Sequence, residues 1–388
     1  MANHFSVGMA KATALTKAGK LDEATALIQS LLQHRDVPAD TPADDAAIEG
    51  SFTRLGDRDP GEGAAVRTTY PKATPARTTS SLQETLRMIR GGGMPKRAAY
   101  AEAPADLPAN AKFILKTHDD GRDQRDYKLY IPASKPQGRV PLIVMLHGCT
   151  QSPDDFSRGT GMNVLAEQHG FLVAYPAQPP GANANKCWNW FRPEDQVRDH
   201  GEPALIAGIV RDIIHDHPVD PARVYVAGLS AGGAAAAIVA TAYPEIFAAA
   251  GVHSGLPIGA ATDIPQAFSA MRNGVKGTPV LHAVPTIVMH GSADKTVNPI
   301  NGKAAVAQTV KAFGGLETRV RKGVSAGGRS FRQTSYVGIN GISMCEHWEI
   351  TGAGHAWAGG ASQGSYTDPT GPSASAEMVR FFMQHRKG

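Results

Sequence analysis

The sequence predicts an α/β fold in which helices cover both faces of a mostly parallel sheet, with a helical N-terminal extension and a linker in front. Two observations carry this. Between residues 141 and 350, short β-branched and apolar runs alternate with longer segments of helical spacing, the pattern of strands joined by crossover helices. In addition, Gly228-x-Ser230-x-Gly232 falls where one such run, Val226-Ala227, meets a long Ala-rich stretch. A serine flanked this way sits on a sharp strand-to-helix turn.

The chain has 388 residues, enough for one large α/β domain and an appendage. A hydrophobic content of 42% fills a core of that size, and a net charge of +4 points to neither nucleic acid nor an acidic partner. Residues 1–34 place Phe5, Met9, Leu21, Ala24, Leu27, Ile28 and Leu31 at roughly helical spacing, with Gly19 as a break. Residues 35–99, rich in Asp, Pro, Thr, Gly and Arg, read as a flexible linker, with a short helix near Ser81–Arg90. Residues 100–388 form the predicted main domain.

Within it, Ala111–Lys116 and Tyr127–Ile131 lead as antiparallel strands, and the continuous apolar run Pro141–Leu146 reads as a buried strand. Helix Met162–His169, strand Phe171–Tyr175, helix Pro203–His215 and strand Arg223–Ala227 follow. Next come helix Ala231–Tyr243, strands Phe247–His253 and Pro285–His290, and helix Ile300–Phe313. Strands near 317–322, 330–337 and 343–350 and a helix over Ser373–His385 close the domain. In such sheets, functional groups gather at the carboxyl ends of the strands. The order matches the α/β-hydrolase layout. Met1–Gln33 lacks a continuous apolar segment of the secretory kind, and no run is long enough to span a bilayer, so a cytoplasmic location is expected, with secretion as the alternative.

A serine hydroxyl is a weak nucleophile that needs a base, and the base needs an orienting carboxylate. Strand Thr286–His290 runs into Gly291-Ser292-Ala293-Asp294, and strand Glu346–Ile350 into Thr351-Gly352-Ala353-Gly354-His355. The order Ser230, Asp294, His355 fits a triad on this layout. Asp263 is the substitute acid. Two backbone donors are needed for a developing oxyanion: the N–H of Ala231, after the nucleophile, and that of Cys149, in the loop His147-Gly148-Cys149-Thr150-Gln151. His147 reads as a brace for that loop. Trp188, Trp190 and Trp357 read as pocket walls near the strand ends. A disulfide between Cys149 and Cys187 would tether the oxyanion loop to this wall, but a reducing compartment disfavours it, and the question stays open. Cys345 reads as an inert buried thiol. No nucleotide-binding, metal-binding or nucleic-acid motif is present, so no cofactor and no metal are expected.

Leu146–Gln151, Cys187-Trp188-Asn189-Trp190-Phe191, Gly228–Gly233, His290–Asp294 and Gly354-His355-Ala356-Trp357 together resemble the polyhydroxybutyrate (PHB) depolymerase family of esterases, related to feruloyl and acetylxylan esterases. The resemblance covers about residues 110–385. It implies a serine esterase with Ser230, Asp294 and His355 as triad, Cys149 and Ala231 as oxyanion hole, and an aromatic cleft for a short hydroxyacyl chain. The substrates expected are PHB-type polyesters, as amorphous granules, oligomers or smaller esters. The alternatives are a carbohydrate esterase of feruloyl or acetylxylan type, and a granule-associated binding protein attached through residues 1–34.

Overall fold

A computed structural model describes residues 108–134, 138–280 and 282–388. The helical segment expected at 1–34 and the linker at 35–99 lie outside the described residues. Among the described residues, ten strands form one sheet: β1 (Lys112–Asp119), β2 (Gln124–Ile131), β3 (Val140–Leu146), β4 (Leu172–Pro176), β5 (Val219–Leu229), β6 (Ala249–His253), β7 (Thr286–Gly291), β8 (Glu317–Val324), β9 (Ser330–Val337) and β10 (Ser343–Ile350). Their order is β1-β2-β4-β3-β5-β6-β7-β10-β9-β8. The six strands from β4 to β10 in that order run parallel, and the pairs at both ends are antiparallel.

The central strands are apolar on both faces because both faces are covered. Along β3, Leu142, Val144 and Leu146 join one core cluster, while Ile143 and Met145 join the other. The same alternation divides Val224 and Val226 from Tyr225, Ala227 and Leu229 on β5. Helices α1 (Pro153–Thr160), α2 (Met162–His169), α3 (Gly201–Asp216), α4 (Ala231–Ala242), α5 (Ile264–Asn273), α6 (Ile300–Phe313) and α7 (Ala374–Phe382) complete the layers. Ile206 and Val210 of α3 and Val239 of α4 fill the first cluster; Met162 and Ala166 of α2 and Met378 and Phe382 of α7 fill the second. Among the described residues, no helix is long and apolar enough to cross a membrane.

Two helices are absent from the sequence expectation. Helix α1 starts at Pro153 with Ser152 as its cap, accepting from the Asp155 N–H at 3.2 Å. Phe156 is its only large apolar side chain, too little to set up a visible period. Helix α5 buries only Ala267 and Ala270, so its inner face is written in alanine rather than in large apolar residues. A small parallel pair, β11 (Trp357–Ala358) and β12 (Thr367–Asp368), was also not expected. The closing helix ends at Phe382, short of His385.

Phe382 stacks on Tyr225 with ring centroids 5.0 Å apart, and both rings are fully buried. This contact joins α7 to the middle of the sheet. Phe382→Ala is expected to lower the unfolding free energy by about 3–5 kcal/mol, measured by urea titration against the unsubstituted protein.

Candidate active site

Strand β5 ends at Leu229 and α4 begins at Ala231, so Ser230 alone makes the turn. Its φ of 59° lies in the left-handed region, a strained state for a residue with a Cβ. The Ser230 N–H holds it there by donating to the His253 carbonyl at 2.8 Å. Gly232 is required for the same turn, since a Cβ there would lie 2.1 Å from the Leu146 carbonyl oxygen. The first turn of α4 therefore rests against the end of β3, and the N–H groups of that turn have no side-chain cap. They point their partial positive charge toward the position beside Ser230.

Asp294 and His355 are brought together as the sequence predicts. His355 Nδ1 lies 2.7 Å from Asp294 Oδ2, while Asp294 Oδ1 accepts from the N–H groups of Thr296 and Val297, both at 2.9 Å. His290 Nε2 adds a third contact, 3.3 Å from Oδ2, and also lies 2.9 Å from the Val297 carbonyl. Burial alone would raise the Asp294 pKa, but the hydrogen bonds to His290 and His355 outweigh it and hold the carboxyl well below the usual carboxylate range. An ionised Asp294 fixes the proton on His355 Nδ1 and leaves the Nε2 lone pair free.

The two loops are stitched to one another. Ser292 N–H donates to the Ile350 carbonyl, Ala293 N–H to the Ala353 carbonyl and Gly352 N–H to Ser292 Oγ, each at 2.9 Å. Gly291 permits the crossing, because a Cβ there would meet the Ala353 oxygen at 2.3 Å. Strand register puts Leu229 opposite His253, His253 opposite Met289, and Gly291 opposite Ile350. The serine turn, the acid loop and the histidine loop thus leave one edge of the sheet. Asp263, the substitute acid, is elsewhere employed: it caps α5, accepting from the Gln266 N–H at 2.8 Å, and is exposed.

The loop after β3 is braced on every side. His147 is buried, lies 2.8 Å from the Gly148 carbonyl through Nδ1, and accepts the Gln178 N–H through Nε2 at 3.1 Å. Burial pushes its pKa down to about 4, so it is neutral and is a brace rather than a base. Gly148 N–H donates to Gln151 Oε1 at 2.9 Å and Thr150 N–H to the Asn185 carbonyl at 2.7 Å. Among the described residues, the Cys149 N–H between them has no acceptor. Cys149 and Cys187 are joined by a disulfide, which settles the question the sequence left open. Cys345 is buried with a free thiol, whose pKa burial raises.

The three tryptophans do not form walls. Trp188 and Trp357 are each 1% exposed and Trp190 6%, all within the two core clusters. Trp188 Nε1 donates to the His147 carbonyl at 3.1 Å, and Trp357 Nε1 to Ser375 Oγ at 3.0 Å. Rings buried this way, those of Trp188 and Trp357 with their N–H groups satisfied, support the loops from behind.

Several neighbours escaped the sequence reading. Tyr366 is partly exposed, has φ 52°, and brings its hydroxyl 3.4 Å from Thr150 Oγ1. Gln151 Nε2 donates to Ser365 Oγ at 3.2 Å, tying the same loops. Of the six described non-glycine residues with positive φ, five (Thr150, Lys186, Ser230, Ser254 and Tyr366) lie on the loops that bound this edge, Asp199 being the other. Strain concentrated this way marks functional sites. Glu202 is also new: it accepts from Asn189 N–H and Asn189 Nδ2 at 2.8 Å and from Gln178 Nε2 at 2.5 Å, anchoring the Trp188–Trp190 segment. Burial, with Asp195 adding to it, pushes its pKa up to about 7.

Residues 125–327 match the family model described as esterase PHB depolymerase, and the chain belongs to that family. It is similar to poly(3-hydroxyalkanoate) depolymerase C of Paucimonas lemoignei, at 37% identity over 58% of this chain and 57% of that protein. It is also similar to poly(3-hydroxybutyrate) depolymerase of Ralstonia pickettii, at 28% identity over 62% and 54% of the two chains. Feruloyl esterase B of Thermothelomyces thermophilus is 33% identical over 42% of this chain and 54% of its own length. The chain spans a little over half the length of these relatives. Among solved structures, an acetyl xylan esterase from Aspergillus awamori aligns with a TM-score of 0.54 at 21% identity, covering 70% of this chain and 99% of that one. At that identity the likeness establishes the α/β-hydrolase fold alone.

Two outcomes follow from the braces. Glu202 has a folded pKa above its reference value of 4.5, so the native state holds an extra proton between about pH 4.5 and 7. Stability from this group is therefore greatest below that window and falls as pH rises through it. Glu202→Gln should flatten this part of the melting-temperature profile. Replacing Cys149 and Cys187 together with Ala should cost about 2–4 kcal/mol of stability, read by urea titration under non-reducing conditions.

Proposed function

We propose that this member of the esterase PHB depolymerase family is a serine esterase that hydrolyses ester bonds of poly(3-hydroxybutyrate)-type polyesters or their oligomers. The observation that carries the reading is the buried, ionised Asp294 under His355, on the same sheet edge as the Ser230 turn. His355 Nε2 takes the proton from Ser230 Oγ as the oxygen attacks the ester carbonyl. The resulting oxyanion lies between the N–H groups of Cys149 and Ala231, each worth roughly 3 kcal/mol of barrier. Collapse expels the alcohol, protonated by His355, and leaves an acyl group on Ser230. Water, deprotonated by His355, then attacks the acyl-enzyme and releases the carboxylic acid.

The substrate class follows the two depolymerase relatives, one of which is 37% identical over 240 residues. A carbohydrate esterase is the second reading, supported by the 33% identity to a feruloyl esterase over 162 residues. A pure binding role is disfavoured, since adsorption has no use for an ionised carboxylate held under a histidine. Contact with polymer granules through residues 1–34 is a proposal resting on the helical spacing of that segment. The Cys149–Cys187 bond supports an oxidising compartment over the cytoplasm expected from the sequence.

Ser230→Ala is expected to reduce ester turnover by about 10⁴-fold or more without changing the melting temperature by more than a few degrees. Retained turnover would remove the assignment of the nucleophile. Parallel assays on 3-hydroxybutyrate oligomers, methyl ferulate and acetylated xylan should give the highest kcat/KM on the oligomers. The opposite ranking favours the carbohydrate reading.

A further inference from the structure

We infer that His253 is a positioning residue whose neutral imidazole clamps the His355 loop to the Ser230 turn. The inference rests on the esterase reading above and adds a residue that the motifs do not announce. His253 ends β6, the strand between the serine strand and the acid strand. Its main chain and its ring serve different sides of the site.

The His253 carbonyl accepts the Ser230 N–H at 2.8 Å and so fixes the strained turn. Its ring is fully buried, and Nε2 accepts the Ala358 N–H at 3.0 Å, three residues beyond His355. Trp357, between the two, stacks on the same ring with centroids 5.0 Å apart and planes 25° from parallel. The ring's other nitrogen, Nδ1, lies 3.1 Å from Ser254 Oγ. Acceptance at Nε2 requires the proton to sit on Nδ1, which then donates to Ser254. Only the neutral ring makes both contacts. Burial, reinforced by the nearby His290 and His355, holds its pKa down to about 3 and keeps it neutral.

Asp294 holds the imidazole of His355 by one nitrogen, but a single hydrogen bond leaves the ring free to swing with its loop. The backbone bond at Ala358 and the stacked Trp357 restrain that loop from its far end. Without them, Asp294 and His355 stay paired while Nε2 drifts from Ser230 Oγ. A misplacement of about 1 Å at a reacting pair lowers turnover on the order of 10²-fold.

The test compares His253→Gln, His253→Asn and His253→Leu in the full chain with a soluble short-chain ester. Gln carries a carbonyl oxygen near the position of Nε2; Asn is too short to reach Ala358, and Leu has no acceptor. The expected result is kcat lowered about 10- to 100-fold in Asn and Leu, with KM within about two-fold, and most of the loss restored in Gln. The rate of Ser230 labelling by a fluorophosphonate should fall in parallel with kcat. If Leu fails to fold, the Gln and Asn pair decides. Equal kcat in all variants, or equal loss in Gln and Asn, overturns the inference. Ser230→Ala, run beside them, separates the two claims: its retained activity sinks the esterase reading, whereas its inactivity beside a fully active His253→Leu sinks only the role of His253.

Discussion

The interaction on which the rest depends is the 2.7 Å contact between His355 Nδ1 and the buried Asp294 carboxylate. A carboxylate removed from water is costly unless hydrogen bonds replace its solvent. Here the N–H groups of Thr296 and Val297 and two histidines supply them. That shell keeps the charge, and the charge fixes the tautomer of His355. In the reading proposed here, the direction in which a proton leaves Ser230 is set by Asp294 through His355.

The sheet makes this possible by register. Four adjacent parallel strands end within two residues of one another, so loops far apart in sequence emerge as neighbours. Hydrogen bonds between the loops then remove the remaining freedom: Ser292 and Ala293 to the histidine loop, Gln151 to Ser365, and His253 to both Ser230 and Ala358. The disulfide between Cys149 and Cys187 closes the ring of supports around the loop whose Cys149 N–H has no acceptor among the described residues. Rigid strand ends with cross-tied loops are the arrangement in which backbone donors act on developing charge without reorganising.

The loops that carry Ser230, Asp294 and His355 were legible because each follows an apolar strand run and is approached through glycines or a serine-glycine turn. These are local signals. Burial direction is not local, and there the structure departs from expectation. Trp188 sits in a loop and Trp357 just beyond the glycines that precede His355, yet their rings turn inward to the His147 carbonyl and Ser375. Asp263 suggested an acid because it follows a strand, but the same residue type caps a helix, and α5 itself was hidden by its alanine inner face. His253 and His290 stood as single histidines in apolar strands, with nothing in the sequence to say which loops their rings would meet. The disulfide stayed open for a different reason: the redox state of the compartment, which decides whether the bond forms, is not written at Cys149 or Cys187.

The most direct measurement is the rate and site of covalent labelling by a fluorophosphonate, followed by intact-mass and peptide mass spectrometry. The account predicts a single adduct on Ser230 that forms rapidly in the native enzyme. It also predicts labelling slowed on the order of 10³- to 10⁴-fold in Asp294→Asn, where the wrong tautomer of His355 is favoured. An adduct on another residue, or an Asp294→Asn protein labelled at the native rate, would contradict it.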